Sequence, residues 1–367
     1  MIEKILAYIL ACCDKEDFDK TSVALISENL KISRSQVSVV LNKLVKENKL
    51  IRIESKPFCF ISVEYLKEKS IPFKGSVYAS LDDLLSNQEK KDFEKLVGMN
   101  HSLAQTVKQC KATISYPPNG LPMLLYGPTG TGKSLIAKLT YEWARNQGVI
   151  SKDGQFVQVN CSEYANNPEL LTANLFGHVK GAFTGAEKDN EGLIALADNG
   201  VLFLDEVHEL KAECQEKLFL FMDQGIYHRV GDNEKWYKSN VRIVFATTEN
   251  PDKVLLKTLM RRIPMTITIP SLEQRGTQER IELLYDIFSQ EEKRLNCQIK
   301  MSSKVYNALL QSKMPGNIGQ LKSSVQSCCI NSLFDKVNDE LEIHLDSLPK
   351  DLLQQVYANQ KTVLDDD

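Results

Sequence analysis

The chain has 367 residues, a length that exceeds one compact core and predicts two or three domains. Its composition, 43% hydrophobic and 25% charged, is typical of globular proteins, and no apolar run approaches the roughly 18 residues that would indicate a membrane-spanning helix. A net charge of −3 excludes a chain that is basic throughout, although residues 31–56 hold seven Lys or Arg against two Glu.

The N-terminal stretch and the cysteines indicate a reducing compartment. Residues 1–17 lack a small-residue cleavage site, which favours an amphipathic helix over a signal peptide. Nine cysteines is an odd number, two pairs are adjacent (Cys12-Cys13 and Cys328-Cys329), and none shows CxxC or Cys/His ligand spacing. This pattern excludes a disulfide framework and a zinc site, and we expect a cytoplasmic protein.

Residues 1–70 are predicted to form a winged helix-turn-helix domain. Ser33 is a suitable N-cap for a helix over residues 34–47, and the segments 50–54 and 58–61 resemble the two strands of a wing. Side chains at the start of the second helix of such a motif reach base edges in double-stranded DNA. The predicted DNA contacts are Arg34, Ser35, Gln36 and Ser38. The alternative is a winged helix that contacts another protein.

Residues 71–96 are predicted to be a linker, because they contain proline and glycine and become charged. In residues 97–273 strands alternate with helices, a pattern typical of a parallel sheet with helices on both faces. The predicted strands are Met123–Tyr126, Phe156–Val159, Val201–Leu204 and Val241–Ala246, with a helix over Ser134–Arg145. Residues 274–336 are predicted to be a helical lid, and residues 337–367 a tail.

The sequence between the first of these strands and the helix matches the Walker A pattern GxxxxGK[ST] in full. Its glycines let backbone N–H groups surround phosphate oxygens at a helix N-terminus. We expect Lys133 to reach the β- and γ-phosphates of ATP, and Ser134 to bind Mg²⁺. The predicted ATP-binding residues are Gly127, Pro128, Thr129, Gly130, Thr131, Gly132, Lys133 and Ser134.

An acidic pair, Asp205-Glu206, follows the apolar strand over residues 201–204. Asp205 is placed to hold Mg²⁺, and Glu206 is placed to polarise the attacking water. Acidic pairs at strand ends are often only solvated surface. The P-loop about 70 residues upstream favours the catalytic interpretation.

A glycine-rich hexapeptide, Gly181-Ala182-Phe183-Thr184-Gly185-Ala186, lies between the P-loop and this acidic pair. Small residues around one aromatic, with polar flanks, predict an exposed loop tip that presents Phe183 to a partner. GAFTGA is also the signature of the bacterial enhancer-binding activators of sigma-54 RNA polymerase, which are AAA+ ATPases. The chain resembles that family from about Val97 to Leu333. The resemblance implies that residues 181–186, Phe183 and Thr184 above all, contact sigma-54.

Two further polar residues are given roles by this resemblance. Asn160 matches the asparagine that restrains the catalytic glutamate in the family. Thr247 is the preferred nucleotide sensor, although the family often has Asn where Thr248 stands.

Two differences from the family concern arginines. Arg261 and Arg262 are adjacent in the segment that resembles the arginine finger, and the sequence does not decide which one acts on the neighbouring subunit. An arginine acting in trans implies a homo-oligomer, which we expect to be a hexamer. Where the family's lid has a sensor arginine, this chain has Gly319, so the usual lid contact to nucleotide is missing.

The predicted function is an ATPase that binds DNA and remodels sigma-54 RNA polymerase. N-terminal DNA-binding helices resemble the subgroup typified by the levanase operon regulator. Two alternatives remain open. One is another AAA+ remodelling ATPase, such as an unfoldase or a DNA-replication loader. The other is a DNA-binding regulator in which ATP controls only assembly.

Overall fold

The computed structural model describes residues 1–15, 17–54, 58–69, 71, 73, 75–78, 80, 81, 84, 92–335 and 339–364. The chain divides into two compact units, Met1–Lys90 and Lys91–Asp367. Among the described residues, no helix combines the length and the apolar character that crossing a membrane requires.

The first unit packs helices against a small sheet. Its helices are α1 (Ile2–Asp14), α2 (Val23–Leu30), α3 (Arg34–Lys46) and α4 (Val63–Glu68). Its strands are β1 (Leu50–Ile53), β2 (Cys59–Ser62) and β3 (Val77–Tyr78). β1 pairs antiparallel with β2 and parallel with β3, so the sheet order is β2-β1-β3. The predicted helix over residues 34–47 and both predicted strands are therefore present.

The start of α3 shows how local sequence sets the element. The Ser33 hydroxyl accepts a hydrogen bond from the Gln36 backbone N–H at 3.4 Å, which satisfies one of the free donors of the first turn. The preceding helix ends at Lys31 in the left-handed conformation. The buried side of α3 is apolar and consists of Val37, Val40, Leu41 and Leu44. The opposite side of α3 is therefore left to solvent.

The predicted linker over residues 71–96 is only partly a linker. Ile71, Tyr78 and Leu84 are buried in the core of the first unit, and the backbone N–H of Gly75 donates to the Tyr78 hydroxyl at 3.2 Å. Phe93 is buried in the core of the second unit. Residues 85–91 lie outside the described residues. A two-residue strand such as β3 is too short for any periodicity in the sequence to indicate it.

The second unit contains a parallel five-stranded sheet with the order β10-β4-β9-β6-β5. Its strands are β4 (Met123–Tyr126), β5 (Phe156–Asn160), β6 (Val201–Asp205), β9 (Arg242–Thr247) and β10 (Met265–Thr268), and the hairpin β7 (Ile226–Tyr227) with β8 (Tyr237–Lys238) lies outside this sheet. The helices before the lid are α5 (Ala104–Ile114), α6 (Lys133–Asn146), α7 (Pro168–Phe176), α8 (Leu193–Leu196), α9 (Ala212–Gln224), α10 (Pro251–Val254) and α11 (Lys257–Met260). The α/β class and the four predicted strands are confirmed.

Residues 272–352 contribute to a separate core formed by the lid. Its elements are α12 (Gly276–Leu295), β11 (Gln298–Met301), α13 (Ser303–Gln311), α14 (Asn317–Asn331), β12 (Glu340–Ile343) and α15 (Lys350–Leu364). β11 and β12 pair in parallel, so the lid is not entirely helical. Leu341, Ile343 and Leu352 are fully buried. The predicted tail over residues 337–367 is therefore part of the lid up to residue 364, because its apolar residues complete the lid core.

Candidate functional site

The P-loop connects β4 to α6 and encloses a buried cation. Lys133 is 6% exposed, and its ammonium donates to the backbone carbonyls of Gly127 at 2.9 Å and Pro128 at 3.2 Å. Burial lowers the pKa of Lys133, although the nearby carboxylates of Glu206 and Asp205 act in the opposite direction. A buried ammonium bonded only to neutral carbonyls can exchange them for anionic phosphate oxygens.

The loop leaves room for a phosphate beside this ammonium. Gly132 has φ +99° and lies at the N-terminus of α6, and a side-chain carbon added there would meet no atom within 4 Å. Gly130 also has positive φ, at +72°. Both glycines therefore adopt conformations that other residues reach with strain, and Gly132 keeps the N-terminus of α6 open to an anion.

The predicted metal-binding pair is brought together. The Ser134 hydroxyl donates to Asp205 Oδ2 at 2.8 Å, and Asp205 Oδ1 accepts from the Glu206 backbone N–H at 3.0 Å. Within the described ranges no group of three or more His, Cys, Asp or Glu side chains could hold a metal ion. A hydroxyl and one carboxylate suit Mg²⁺ only when substrate phosphates and water supply the remaining ligands. The pair therefore fits a nucleotide-bound Mg²⁺ rather than a separate metal centre.

Glu206 is held by the end of the neighbouring strand β9. Its Oε2 accepts from the Thr248 backbone N–H at 3.3 Å and from the Thr248 hydroxyl at 3.0 Å. The same oxygen lies 3.3 Å from His208 Nδ1. The Glu206 backbone has φ +50°, an uncommon conformation for a residue with a side chain. The carboxylate is therefore fixed in orientation at the carboxyl end of the sheet.

Two of the residues assigned by resemblance lie beside Glu206 without contacting it. Asn160 pairs with Asp205 across β5 and β6, but its side chain caps the next turn by accepting from the Ser162 N–H at 3.1 Å. Thr247 is fully buried, and its hydroxyl accepts from the Glu249 N–H at 3.1 Å. In residues 92–335 neither side chain has a hydrogen bond to Glu206. The structure places Thr248, not Thr247, on the carboxylate.

Sequence reasoning missed Thr248 and His208 as partners of Glu206. The available signal for Thr248 was its place where the related family often has a polar Asn. His208 lies two residues after Glu206 on a short helical turn, Val207–Glu209, where no motif indicated it. Their contribution follows only from the three-dimensional arrangement.

The adjacent arginines have different surroundings. Arg262 Nε lies 2.8 Å from Asp223 Oδ1 on α9, and its guanidinium is 5.1 Å from the centre of the Phe219 ring. Arg261 is exposed, and within the described part of the chain its side chain has no hydrogen bond or ion pair. Arg261 is therefore the one of the two without an intramolecular partner among the described residues.

The lid contacts three successive carbonyls of the P-loop. Asn317 Nδ2 donates to the Thr129 carbonyl at 2.8 Å, and Arg275 Nη2 donates to the Thr131 carbonyl at 2.8 Å. Between them, the Gly319 backbone N–H donates to the Gly130 carbonyl at 3.2 Å. The residue at the expected sensor position therefore contacts the P-loop through its backbone.

Arg275 connects this contact to the lid interior. It pairs with Glu279 at 3.5 Å, and both side chains are almost fully buried. Burial lowers the pKa of Arg275, and Glu279 opposes that shift. Glu279 Oε1 accepts from the Ser102 hydroxyl at 2.8 Å, so the charge pair is also hydrogen-bonded, as a buried pair requires.

The GAFTGA loop is a compact surface turn. The Gly181 N–H donates to the Ala186 carbonyl at 2.9 Å, and the Ala186 N–H donates to the Phe183 carbonyl at 3.0 Å. Phe183 is 38% exposed and its ring lies 4.9 Å from the His178 ring, edge to face. Phe183 is thus partly exposed, and its ring packs against His178 on the segment that precedes the loop.

The loop base is tied to the segment between β7 and β8. The Val179 N–H donates to the Val230 carbonyl at 3.1 Å, and the Val230 N–H donates to the Gly177 carbonyl at 2.8 Å. A side-chain carbon at Gly231 would lie 2.7 Å from the Ala182 methyl. The two loops therefore touch closely.

The exposed side of α3 holds the predicted DNA-contacting residues. Arg34, Ser35 and Gln36 are exposed, and Ser38 is half-buried. Gln36 is partly engaged, because the Ser33 hydroxyl donates to its Oε1 at 2.9 Å. Val39, which sequence reasoning did not include, is 70% exposed on the same helix.

Comparison with known proteins identifies a family and several relatives that this chain resembles. Residues 96–267 match the family described as the Sigma-54 interaction domain. The transcriptional regulatory protein LevR of Bacillus subtilis (strain 168) is 41% identical over 350 residues, covering 92% of this chain and 37% of that protein. The transcriptional regulatory protein DagR of Salmonella typhimurium (strain 14028s / SGSC 2262) is 37% identical over 330 residues, covering 87% and 35%. The chain spans roughly a third of the length of these relatives.

Solved structures show the same fold. NtrX from Brucella abortus matches with a TM-score of 0.55 and 21% identity, covering 83% of this chain and 68% of that one. NtrX in complex with ATP matches with a TM-score of 0.59 and 21% identity, covering 80% and 65%. Together with the parallel sheet, this likeness identifies an AAA+ P-loop ATPase fold.

Proposed function

Because the chain belongs to the sigma-54-dependent transcriptional activators of the LevR-like kind, we propose that it hydrolyses ATP to remodel sigma-54 RNA polymerase. The observation that carries this proposal is the GAFTGA loop with its partly exposed Phe183, on the same unit as the P-loop and the Asp205-Glu206 pair. A nucleotide site alone would suit many remodelling ATPases. The loop adds a surface that could transmit the nucleotide state to a partner.

ATP binding would use the open N-terminus of α6. Backbone N–H groups of the loop and the Lys133 ammonium would bind the phosphates, replacing the carbonyl contacts that Lys133 now makes. Mg²⁺, bound through Ser134 and Asp205, would neutralise phosphate charge.

Hydrolysis would use Glu206 as the group that polarises the attacking water. Water oxygen bonds to the γ-phosphorus while the bond to ADP breaks, and the water proton passes to the Glu206 carboxylate. Thr248 keeps Oε2 of that carboxylate occupied by two hydrogen bonds, which leaves Oε1 for water. An arginine of a neighbouring subunit would stabilise the charge on the transferring phosphoryl group, and this implies a ring, proposed to be a hexamer.

Double-stranded DNA is the proposed partner of the first unit. The exposed side of α3 presents Arg34, Ser35 and Gln36 at the N-terminal end of the helix, where helix-turn-helix proteins contact bases. The antiparallel pair β1–β2 follows α3 in the chain, as a wing would. Binding to DNA would hold the ATPase near the promoter whose polymerase it activates.

The proposal is tested by capture of purified sigma-54 with and without ADP–metal fluoride, which imitates the transition state of hydrolysis. We expect capture in the trapped state and much less without nucleotide. Phe183→Ala should abolish capture while ATP hydrolysis stays within about twofold, since Phe183 is partly exposed on the GAFTGA loop and its ring packs against His178.

Phe334→Ala is the matched control, because Phe334 is 97% exposed on the lid and far along the chain from the GAFTGA loop. This variant should capture sigma-54 normally. Failure of the wild-type chain to bind sigma-54 in every trapped nucleotide state would overturn the proposed function. Loss of hydrolysis in Phe183→Ala would instead show that Phe183 is a structural residue.

A further inference from the structure

His208 is placed between two carboxylates and a threonine at the candidate catalytic centre. Its Nδ1 lies 3.3 Å from Glu206 Oε2 and 3.1 Å from the Thr247 hydroxyl. Its Nε2 lies 3.5 Å from Glu209 Oε1. The ring is only 19% exposed, so these neighbours, and not solvent, surround most of it.

The contacts on Glu206 are unevenly distributed. Oε2 faces the Thr248 N–H, the Thr248 hydroxyl and His208 Nδ1, while none of these three groups contacts Oε1. A carboxylate oxygen has two lone pairs in its plane, so the two hydrogen bonds from Thr248 fill Oε2, and His208 Nδ1 lies against the same oxygen. Rotation of the carboxylate would break these contacts together.

We propose that His208 is a positioning residue for Glu206, and that Thr247 acts on the catalytic carboxylate through His208. This inference rests on the proposed ATPase function and deepens it. His208 contacts the same oxygen, Oε2, that Thr248 binds, so that Oε1 remains the oxygen that receives the water proton. Thr247 sets the plane of the imidazole ring through its hydroxyl. Glu209 holds the other ring nitrogen.

This arrangement replaces the restraint expected from Asn160. The Asn160 side chain is engaged with the Ser162 N–H, on the far side of the β5–β6 pair from β9. Glu206 is therefore oriented by His208, on the turn that follows it, and by Thr248, at the end of β9. Its orientation depends on the residue two positions after it in the chain.

The test compares His208→Leu with His208→Asn. Asparagine carries a nitrogen donor at the same distance along the side chain as Nδ1, whereas leucine has similar bulk and no donor. We expect His208→Leu to lower kcat for ATP about tenfold or more with KM changed less than about twofold, because general-base catalysis is worth about 10²–10⁴-fold and its orientation is impaired. His208→Asn should keep kcat within about threefold of wild type.

His344→Leu serves as the control for loss of a histidine, since His344 is exposed on the lid and takes no part in the site. It should keep wild-type kcat and KM. Wild-type kcat in His208→Leu would overturn the inference. So would an equal loss in His208→Leu and His208→Asn, because that result would indicate a packing role without a hydrogen bond.

A double-mutant comparison separates action through Glu206 from general damage. In the Glu206→Ala background, His208→Leu should lower the residual rate no further, because the group that His208 orients is absent. If the two substitutions lower the rate independently, so that their fold losses multiply in the double variant, the inference is overturned. A wild-type chain that hydrolyses ATP but never binds sigma-54 would refute the proposed function alone, and the His208 variants would still decide this inference. A wild-type chain without hydrolysis would refute both.

Discussion

Asn317 is a single side chain that joins the lid to the P-loop. Its Oδ1 accepts from the Leu272 N–H at 2.9 Å and its Nδ2 donates to the Thr129 carbonyl at 2.8 Å. It is buried and its backbone lies in the left-handed region, with φ +53°. Asparagine suits both requirements, because it tolerates this conformation and supplies a donor and an acceptor.

We expect Asn317→Ala to destabilise the second unit by about 2–5 kcal/mol. The change leaves buried backbone groups unpaired, at about 1–3 kcal/mol, and places alanine in a left-handed conformation, at about 1–2 kcal/mol. Asn317→Gly loses the same hydrogen bonds but removes the backbone strain, so it should be about 1 kcal/mol less damaging. Thermal unfolding followed by far-UV circular dichroism measures the difference.

The relative stability of these two variants tests the backbone and hydrogen-bond contributions separately. If alanine proves as stable as glycine at position 317, the left-handed backbone does not contribute. If both variants unfold like wild type, the hydrogen bonds to Leu272 and Thr129 contribute nothing. ATP affinity should fall in both, because the Thr129 carbonyl belongs to the phosphate-binding loop.

The sequence does not show which of the two threonines at the end of β9, Thr247 or Thr248, contacts Glu206. The sequence placed both threonines at the end of a buried strand, beside the acidic pair on β6. Successive residues of a strand point to opposite faces, so only one of the two can face Glu206. That choice depends on the pairing of Leu204 with Phe245 and on the turn after β9, which no local pattern in the sequence specifies.

At the scale of elements, α3 combines a buried apolar side with an exposed polar one. Arg34 lies in its first turn, where a helix-turn-helix protein contacts bases. We expect Arg34→Ala to weaken binding to a DNA site, selected by the protein from a random pool, by about 1–3 kcal/mol. The preference for one base should also weaken. Fluorescence anisotropy at several salt concentrations measures both effects.

Lys67→Ala is the matched control, because it also removes one positive charge from the first unit, at the exposed end of α4. It should leave specific binding within about 0.5 kcal/mol of wild type. Equal losses in the two variants would indicate only general attraction to phosphate. Absence of any selected DNA would favour a first unit that contacts protein.

Apolar runs predicted the strands that matter most for the site. β4, β6 and β9 are nearly continuous apolar segments, as buried parallel strands are. β10 reads Met-Thr-Ile-Thr and lies at the sheet edge, where Thr266 and Thr268 are exposed, and it was not predicted because it lacks a continuous apolar run. β11 and β12 are separated by about 40 residues, and their pairing depends on the lid core rather than on local sequence.

At the scale of the whole molecule, no arginine among the described residues of the candidate active site is free of partners. Arg275 is bound to Glu279 and the P-loop, and Arg262 is bound to Asp223. Arg261, free of partners within the described residues, lies on the turn after α11. We therefore expect Arg261 to act on ATP bound by a neighbouring subunit. The rate of ATP hydrolysis per chain should rise with protein concentration. If no hydrolysis is measured at any concentration, a regulator in which ATP controls only assembly is favoured.

Mixing two inactive variants tests this arrangement. Glu206→Ala keeps Arg261 but cannot polarise water, and Arg261→Ala keeps Glu206 but supplies no finger. In a ring with head-to-tail interfaces, random pairing restores both groups at about a quarter of the sites. An equal mixture should therefore recover about a quarter of the wild-type phosphate release, although each variant alone is nearly inactive.

Arg262→Ala decides which arginine acts. Because Arg262 pairs with Asp223 inside its own subunit, its replacement should leave most of the activity without any partner variant. If Arg262→Ala is inactive and recovers on mixing with Glu206→Ala, while Arg261→Ala stays active, the pair with Asp223 must open on assembly and the assignment is reversed. If no mixture recovers activity, each subunit completes its own site, and the ring is not required for hydrolysis.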